Sequence, residues 1–397
     1  MVAEKEQTVT LSRIWAWLVV FACSTSGAGY LAQEYWHHTR MSFNSLLQKR
    51  YLMQSRNNTG FCGPRFIVIG AQKGGTTSLW KYAKQLDWVQ MGRAKELHFF
   101  DKLYRANKDH LPLDDIQILQ AEYLKNFGIE HVKTTTYTRD PGYNYGNLHT
   151  CTDTRTGLTF SKYNTSVIYT DITPRYMIVR QAPKLIKDIA NDPWVLALLR
   201  EPASRALSHF RMEFREDAVY ESYRSNMTFF AEEFHRRVKR SINMARLCLI
   251  GFPSKNVSDA CSDTGLHHNV DLVWRGLYSI HLRNWIEVFG IKGKRGDKLI
   301  IWISEHFSTQ PRQLLLQLQQ NIMGSDYPAD RIVHELDFNE RYNVDAHVTV
   351  PWNKSMTALR EFYQEYAIPD LIEALSRWGY KDAVEKIQEL WGYTTGR

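Results

Sequence analysis

Phe66-Ile-Val-Ile-Gly70-Ala-Gln-Lys73-Gly74-Gly75-Thr76-Thr77-Ser78 decides how the rest of the chain is read. Four apolar residues run into a glycine, as a strand buried on both faces does. Glycines let a backbone pass close to an anion, and a helix start adds N–H groups and the positive end of a dipole. The stretch therefore predicts strand, phosphate-binding loop and helix, with a helix over 76–86. Working outward, 167–169, 195–199 and 299–303 read as further strands. Helical patterns fit 202–214, 226–247, 274–288, 311–321 and 356–374. Strands separated by helices predict an α/β fold with a central parallel sheet and flanking helices. Residues 126–165 are rich in Thr, Tyr, Gly and Asn and read as a long surface insertion.

The chain has 397 residues, 44% apolar and 23% charged, which excludes wholesale disorder and fibrous repeats. Only one long uncharged stretch exists, so a multi-pass membrane protein is excluded too. Residues 14–33 carry no charge, and twenty helical residues span roughly 30 Å, the thickness of a bilayer core. They read as a signal-anchor helix, the alternative being a cleaved signal peptide with Ser26-Gly27-Ala28 at the cleavage site. On the anchor reading, 1–13 form a cytosolic tail, 34–62 a stem and 63–397 a lumenal domain. The sequons at Asn57, Asn164, Asn226, Asn256 and Asn353 all follow the segment and agree with a lumenal body. Cys62, Cys151, Cys248 and Cys261 permit two disulfides, with Cys248 and Cys261 closing the shortest loop, or remain free thiols. No Cys/His or acidic spacing suggests a metal. The net charge of +8 is diffuse. It points to an anionic partner, without the basic run or module that nucleic acid would need.

The loop is nearly a Walker A sequence, but that motif places Lys directly after the second Gly. In this chain Thr76 follows Gly75, and Lys73 lies inside the loop. A second segment, Leu196-Ala-Leu-Leu-Arg200-Glu-Pro202-Ala-Ser-Arg205-Ala-Leu-Ser208, ends a strand on an arginine able to fork onto a phosphate, with a serine eight residues on. Between them stands Lys95-Glu96-Leu-His98-Phe99-Phe100-Asp101.

Together these segments resemble the sulfotransferases that use 3′-phosphoadenosine 5′-phosphosulfate (PAPS). The loop and the Arg200/Ser208 segment are similar to that family's 5′-phosphosulfate and 3′-phosphate segments. Lys95 to Asp101 resembles glycosaminoglycan sulfotransferases, especially the heparan sulfate 3-O type. Arg275-Gly-Leu-Tyr278 with Ser304-Glu305-His306 is similar to N-acetylgalactosamine 4-sulfate 6-O-sulfotransferase. The resemblance implies PAPS as donor and no metal. Lys73, Gly74, Gly75, Thr76, Thr77, Ser78, Arg200 and Ser208 would hold the cofactor, with Lys73 also at the bridging oxygen. Glu96 would be the catalytic base, with His98 the alternative and Phe99 and Phe100 an apolar wall that raises the carboxyl's pKa. The implied acceptor is an acidic or neutral polysaccharide, and the implied location a Golgi membrane, single-pass type II. The chain departs from the heparan pattern at Ile172, where those enzymes have lysine, and lacks their Lys-Gly-Arg loop. A nucleotide- or glycan-binding protein without turnover, and a small-molecule kinase, are the other readings. Acceptor identity and oligomeric state stay open.

Overall fold

The computed structural model describes residues 63–86, 88–106, 116–135, 148–153, 159–161, 168–251, 272–290, 297–323, 336, 338 and 353–393. The chain divides into Met1–Thr59 and Gly60–Arg397, and all described residues lie in the second unit. The tail, anchor and stem lie outside the described residues, as do Cys62, Cys261 and three of the five sequons. Among the described residues no helix is long and apolar enough to cross a membrane. Asn226, one of the two sequon asparagines described, is exposed.

The central sheet contains five parallel strands. They are β1 (Phe66–Gly70), β2 (Val89–Met91), then β6 (Ile168–Ile172), β7 (Trp194–Leu199) and β8 (Leu299–Ile303), in the spatial order β2-β6-β1-β7-β8. Ile67 lies level with Asp171 on one side and Val195 on the other, and Leu199 lies level with Ile303. Side chains alternate across the sheet at period two. Ile67, Ile69, Val195, Ala197, Leu199, Ile301 and Ile303 enter one core; Phe66, Val68, Leu196, Leu198 and Trp302 enter another. Both faces are covered, and so these strands read as unbroken apolar runs.

Helix α1 (Thr76–Ala83) follows β1, and α2 (Phe99–Ala106) and α3 (Ile116–Leu124) follow β2. A separate antiparallel sheet of β3 (Ile129–Thr135), β4 (Leu148–Asp153) and β5 (Thr159–Ser161) occupies much of the stretch expected to be an irregular insertion. Thr- and Tyr-rich composition suits a pleated strand as well as a loop, which is why the pattern misled. The start of that stretch is also internal: Asn126, Phe127 and Ile129 are buried.

Helix α4 (Ala182–Ile189) precedes β7. Helices α5 (Pro202–Glu216), α6 (Met227–Gly251) and α7 (Tyr278–Phe289) lead to β8, which runs directly into α8 (Ser304–Thr309) and α9 (Pro311–Met323). The helix expected over 356–374 is two helices, α10 (Asn353–Tyr366) and α11 (Ile368–Arg377), followed by α12 (Lys381–Trp391). Pro369 causes the break: lacking an N–H, it is accommodated in the first turn of a new helix and not inside an old one.

From β1 the chain moves to β2 and β6 on one side, then crosses to β7 and β8 on the other. The loops leaving the carboxyl ends of β1 and β7 thus diverge and leave a crevice, where open α/β sheets take ligands.

Candidate functional site

A cavity of about 890 Å³ opens at that crevice. Lys73, Gly75, Thr76, Thr77 and Ser78 from the loop and α1 line it, with Glu96, Arg200 and Ser208. Residues spread over 135 positions of sequence therefore share one space. Gly74 and His98 fall outside the lining and do different work.

The loop is held by its own backbone. The Ala71 N–H donates to Leu198 O at 2.8 Å, tying the loop to β7, and the Gly74 N–H donates to Ala71 O at 2.9 Å. A Cβ on Gly74 would lie 2.4 Å from Leu198 O, so only glycine lets the loop lie this flat against the strand. Gly75 has φ 93° and turns the chain into α1, whose first intrahelical bond runs from Leu79 N–H to Gly75 O. The opening N–H groups of a helix have no partner within it, and they meet the cavity together with the hydroxyls of Thr76, Thr77 and Ser78.

Arg200 leaves the end of β7 and donates from Nη1 to Lys73 O at 3.2 Å, which fixes the two cationic residues relative to each other. Its own carbonyl accepts from Tyr278 Oη at 2.8 Å. Glu201 caps α5 by accepting from the Ala203 and Ser204 N–H groups at 3.0 and 2.7 Å. It also accepts from Tyr393 Oη at 2.6 Å. Glu305 accepts from Glu201 N–H at 3.0 Å and from Trp391 Nε1 at 2.9 Å. The Arg200–Pro202 corner is thereby braced by the C-terminal helix α12. On α5, Ser204 and Ser208 stand one turn apart on the cavity face, followed by Arg211 and Arg215.

Across the cavity, Lys95 Nζ donates to Thr77 Oγ1 at 3.0 Å and so joins the segment before α2 to the phosphate loop. Burial lowers the Lys95 pKa, partly offset by Glu96. Glu96 Oε2 lies 3.3 Å from His98 Nε2, and His98 Nδ1 lies 3.1 Å from Asp101 Oδ2. Asp101 is buried, and Arg175 Nε is 3.4 Å from it. The imidazole is thus held edge-on between two carboxylates. An imidazolium donates to both, a neutral ring to one, so a proton gained by Glu96 has a second carboxylate within one ring's reach.

Phe99 and Phe100 do not wall Glu96. They face the core, where Phe100 sits 4.7 Å from Tyr123 and 5.3 Å from Tyr176, centroid to centroid, and they anchor the segment. Ile172 is buried in the sheet's second core. Sequence reasoning assigned no role to Lys95, Gln72 or Glu305, all of which line the cavity. Gln72 Oε1 accepts from the buried Arg275 at 2.7 Å. Partners 203 positions apart leave no local signal. Among the described residues no group of three or more His, Cys, Asp or Glu is arranged to hold a metal ion.

No family model matches the chain, and no curated protein matches it. Solved structures do. The chain is similar to a sulfotransferase from Alicyclobacillus acidocaldarius at 17% identity and TM-score 0.45, over 83% of this chain and 98% of that one. It is similar to the sulfotransferase domain of the Synechococcus PCC 7002 olefin synthase at 13% identity and TM-score 0.33, over 77% and 96% of the two chains. The sulfotransferase domain from the curacin biosynthetic pathway gives 12% identity and TM-score 0.31, over 70% and 79%. At these identities and TM-scores the likenesses carry no argument about chemistry.

Proposed function

We propose that this chain transfers a sulfuryl group from PAPS to a hydroxyl of a carbohydrate acceptor. The observation that supports the reading is one cavity holding a phosphate-type loop with its lysine inside, an arginine and serine beyond β7, and a carboxylate opposite. The donor fits the residues present. Glycine at 74 seats the loop against β7, and the cavity of about 890 Å³ that this loop lines suits a nucleotide.

Glu96 takes the proton of the acceptor hydroxyl, and His98 and Asp101 hold that carboxylate in place. The freed oxygen forms the new bond to sulfur as the bond from sulfur to the 5′-phosphate breaks. Lys73 and the N–H groups of residues 75–77 take up the charge on the departing phosphate, the Gly74 N–H being used within the loop. Arg200 and Ser208 hold the 3′-phosphate and so choose this donor over nucleotides lacking it. Lys73 lies three residues before the position a Walker lysine takes, which weighs against a kinase. The Glu96–His98–Asp101 chain supports turnover over binding alone.

The acceptor we favour is a glycosaminoglycan-like polysaccharide, on the resemblance of residues 95–101. A Golgi membrane location with a lumenal catalytic domain follows from the uncharged segment 14–33 and the sequons after it. The test is incubation of the full chain with labelled PAPS and a panel of chondroitin, dermatan, heparosan and heparan sulfate, followed by disaccharide mapping. Transfer is expected, and Lys73→Ala or Glu96→Gln abolishes it. Magnesium-dependent phosphate transfer from ATP, with none of sulfate from PAPS, would sink the proposal.

A further inference from the structure

Asp171, at the carboxyl end of β6, is 1% exposed. Three hydroxyls donate to it. Thr173 Oγ1 reaches Oδ1 at 2.7 Å; Tyr123 Oη and Tyr176 Oη reach Oδ2 at 2.9 and 3.0 Å. Each hydroxyl has one proton, and Thr173 and Tyr176 direct theirs at the carboxylate. Their lone pairs are then turned toward two backbone donors. Leu97 N–H donates to Thr173 Oγ1 at 3.1 Å, and Phe99 N–H donates to Tyr176 Oη at 3.0 Å. Those two residues flank His98, and Leu97 follows Glu96. His98 itself has φ 55°, a conformation unfavourable for a residue with a Cβ, and the two bonds bracket it.

We propose that Asp171 is the positioning residue of the Glu96–His98 segment, acting through the hydroxyls of Thr173 and Tyr176. The reaction it serves rests on the sulfuryl-transfer reading; the bond pattern does not. The reasoning is one of donor polarity. A carboxylate only accepts, so any hydroxyl bonded to it must donate there and keep its lone pairs for the backbone N–H. Replacing Asp171 by asparagine puts an NH₂ group where one oxygen was. The hydroxyl facing that NH₂ loses the acceptor for its own proton, and a buried donor is left unsatisfied. One of the two holds on the segment is then lost, because the hydroxyl turns its proton away from the NH₂ and toward the backbone N–H. Tyr123 supplies the third donor but bonds to no backbone group of residues 96–99, and its ring packs at 4.9 Å on Phe99. Tyr123→Phe keeps that ring and removes only the bond to Asp171. It therefore separates loosening around the carboxylate from loss of the segment's hold.

The experiment measures amide hydrogen exchange at Leu97 and Phe99 in the full chain. Alongside run calorimetry with 3′-phosphoadenosine 5′-phosphate (PAP) and sulfate transfer from PAPS to chondroitin and heparosan. Asp171→Asn is expected to speed exchange about tenfold at the amide whose hold is lost and to lower kcat at least about tenfold. The KM for PAPS and the Kd for PAP stay within about twofold, because the phosphate loop is untouched. Thr173→Val speeds Leu97 alone and Tyr176→Phe speeds Phe99 alone. Tyr123→Phe leaves both amides and kcat within about twofold. Wild-type exchange at both amides in Thr173→Val and Tyr176→Phe overturns the proposal. So does equal acceleration by Tyr123→Phe, which marks a core that has merely loosened. Should Asp171→Asn fail to fold, the two hydroxyl variants decide. If the wild type neither binds PAP nor transfers sulfate, the reaction assignment fails while the exchange pattern still judges Asp171.

Discussion

Gly74→Ala isolates the geometry of the phosphate loop. The added methyl would sit 2.4 Å from Leu198 O and 2.9 Å from Ala71 O, where ordinary contact begins at 3.4 Å. Relief requires the loop to lift from β7 by about 1 Å. Leu198 cannot yield instead, because β7 is paired on both sides, to β1 and β8. Lifting the loop stretches the 2.8 Å bond from Ala71 N–H to the same Leu198 oxygen and draws Lys73 O away from Arg200 Nη1. Overpacking costs about 1–3 kcal/mol and a lost buried hydrogen bond about as much, so the variant should lose roughly 2–6 kcal/mol. Gly75→Ala is the comparison. Its methyl finds Ser304 Oγ at a tolerable 3.4 Å, and only the φ of 93° opposes it. That costs about 1–2 kcal/mol. Urea denaturation of both variants, with PAP calorimetry, checks the ordering. PAP affinity should fall at least about tenfold in Gly74→Ala, the worth of one charge-assisted bond from the displaced loop. A Gly74→Ala protein as stable as Gly75→Ala, binding PAP like the wild type, would refute the reasoning.

Arg200→Ala should weaken PAP binding roughly ten- to hundredfold, the worth of a charge-assisted bond. Binding of the analogue without a 3′-phosphate should fall less, because only the bond from Arg200 Nη1 to Lys73 O is then lost, so calorimetry with both ligands reads the residue's role. Trp391→Phe removes the N–H that Glu305 accepts at 2.9 Å and should lower PAP affinity about fivefold, although Trp391 is not part of the cavity wall. Two buried groups tilt stability with pH in opposite senses. Burial raises Asp171 from 3.8 to about 6. The folded state therefore holds a proton the unfolded chain has lost, a contribution full below pH 3.8 and gone as pH rises through about 6. At most it amounts to about 3 kcal/mol. Burial, then Arg205 and Arg275, push His209 well below 6.5. The unfolded chain binds that proton first, and stability drops as pH falls through 6.5. Urea midpoints against pH should show the first slope vanish in Asp171→Asn and the second persist.

What could be read from the sequence was local. Strand, loop and helix at Phe66–Ala83 are contiguous, and their apolar run and glycines announce themselves. Glu96, Arg200 and Ser208 sit in short segments whose residue types carry the chemistry. Strand β2 escaped because three residues are too few for a period, and α4 because eight residues beginning near a proline resemble a turn. The hold on the Glu96 segment escaped for another reason. Tyr176 reaches Phe99 across 77 positions and Thr173 reaches Leu97 across 76, and nothing in either neighbourhood points to the other. Phe99 and Phe100 illustrate the same limit. A pair of aromatics beside a carboxylate looks like a wall, but the helix they begin turns them into the core.

The brace on the Arg200–Pro202 corner has a bearing on how the protein is made. Ribosomes release Glu201 long before its partner Tyr393, which lies 192 positions later. At typical synthesis rates that interval is roughly 10–40 s. Throughout it, the cavity-facing corner exists without the tyrosine and tryptophan that steady it. The cavity wall is therefore translated before the residues that brace it. A chain stopped before Trp391 would keep every residue of the cavity wall and lose this brace, so a ligand of the cavity would stabilise the longer chain more than the shorter one.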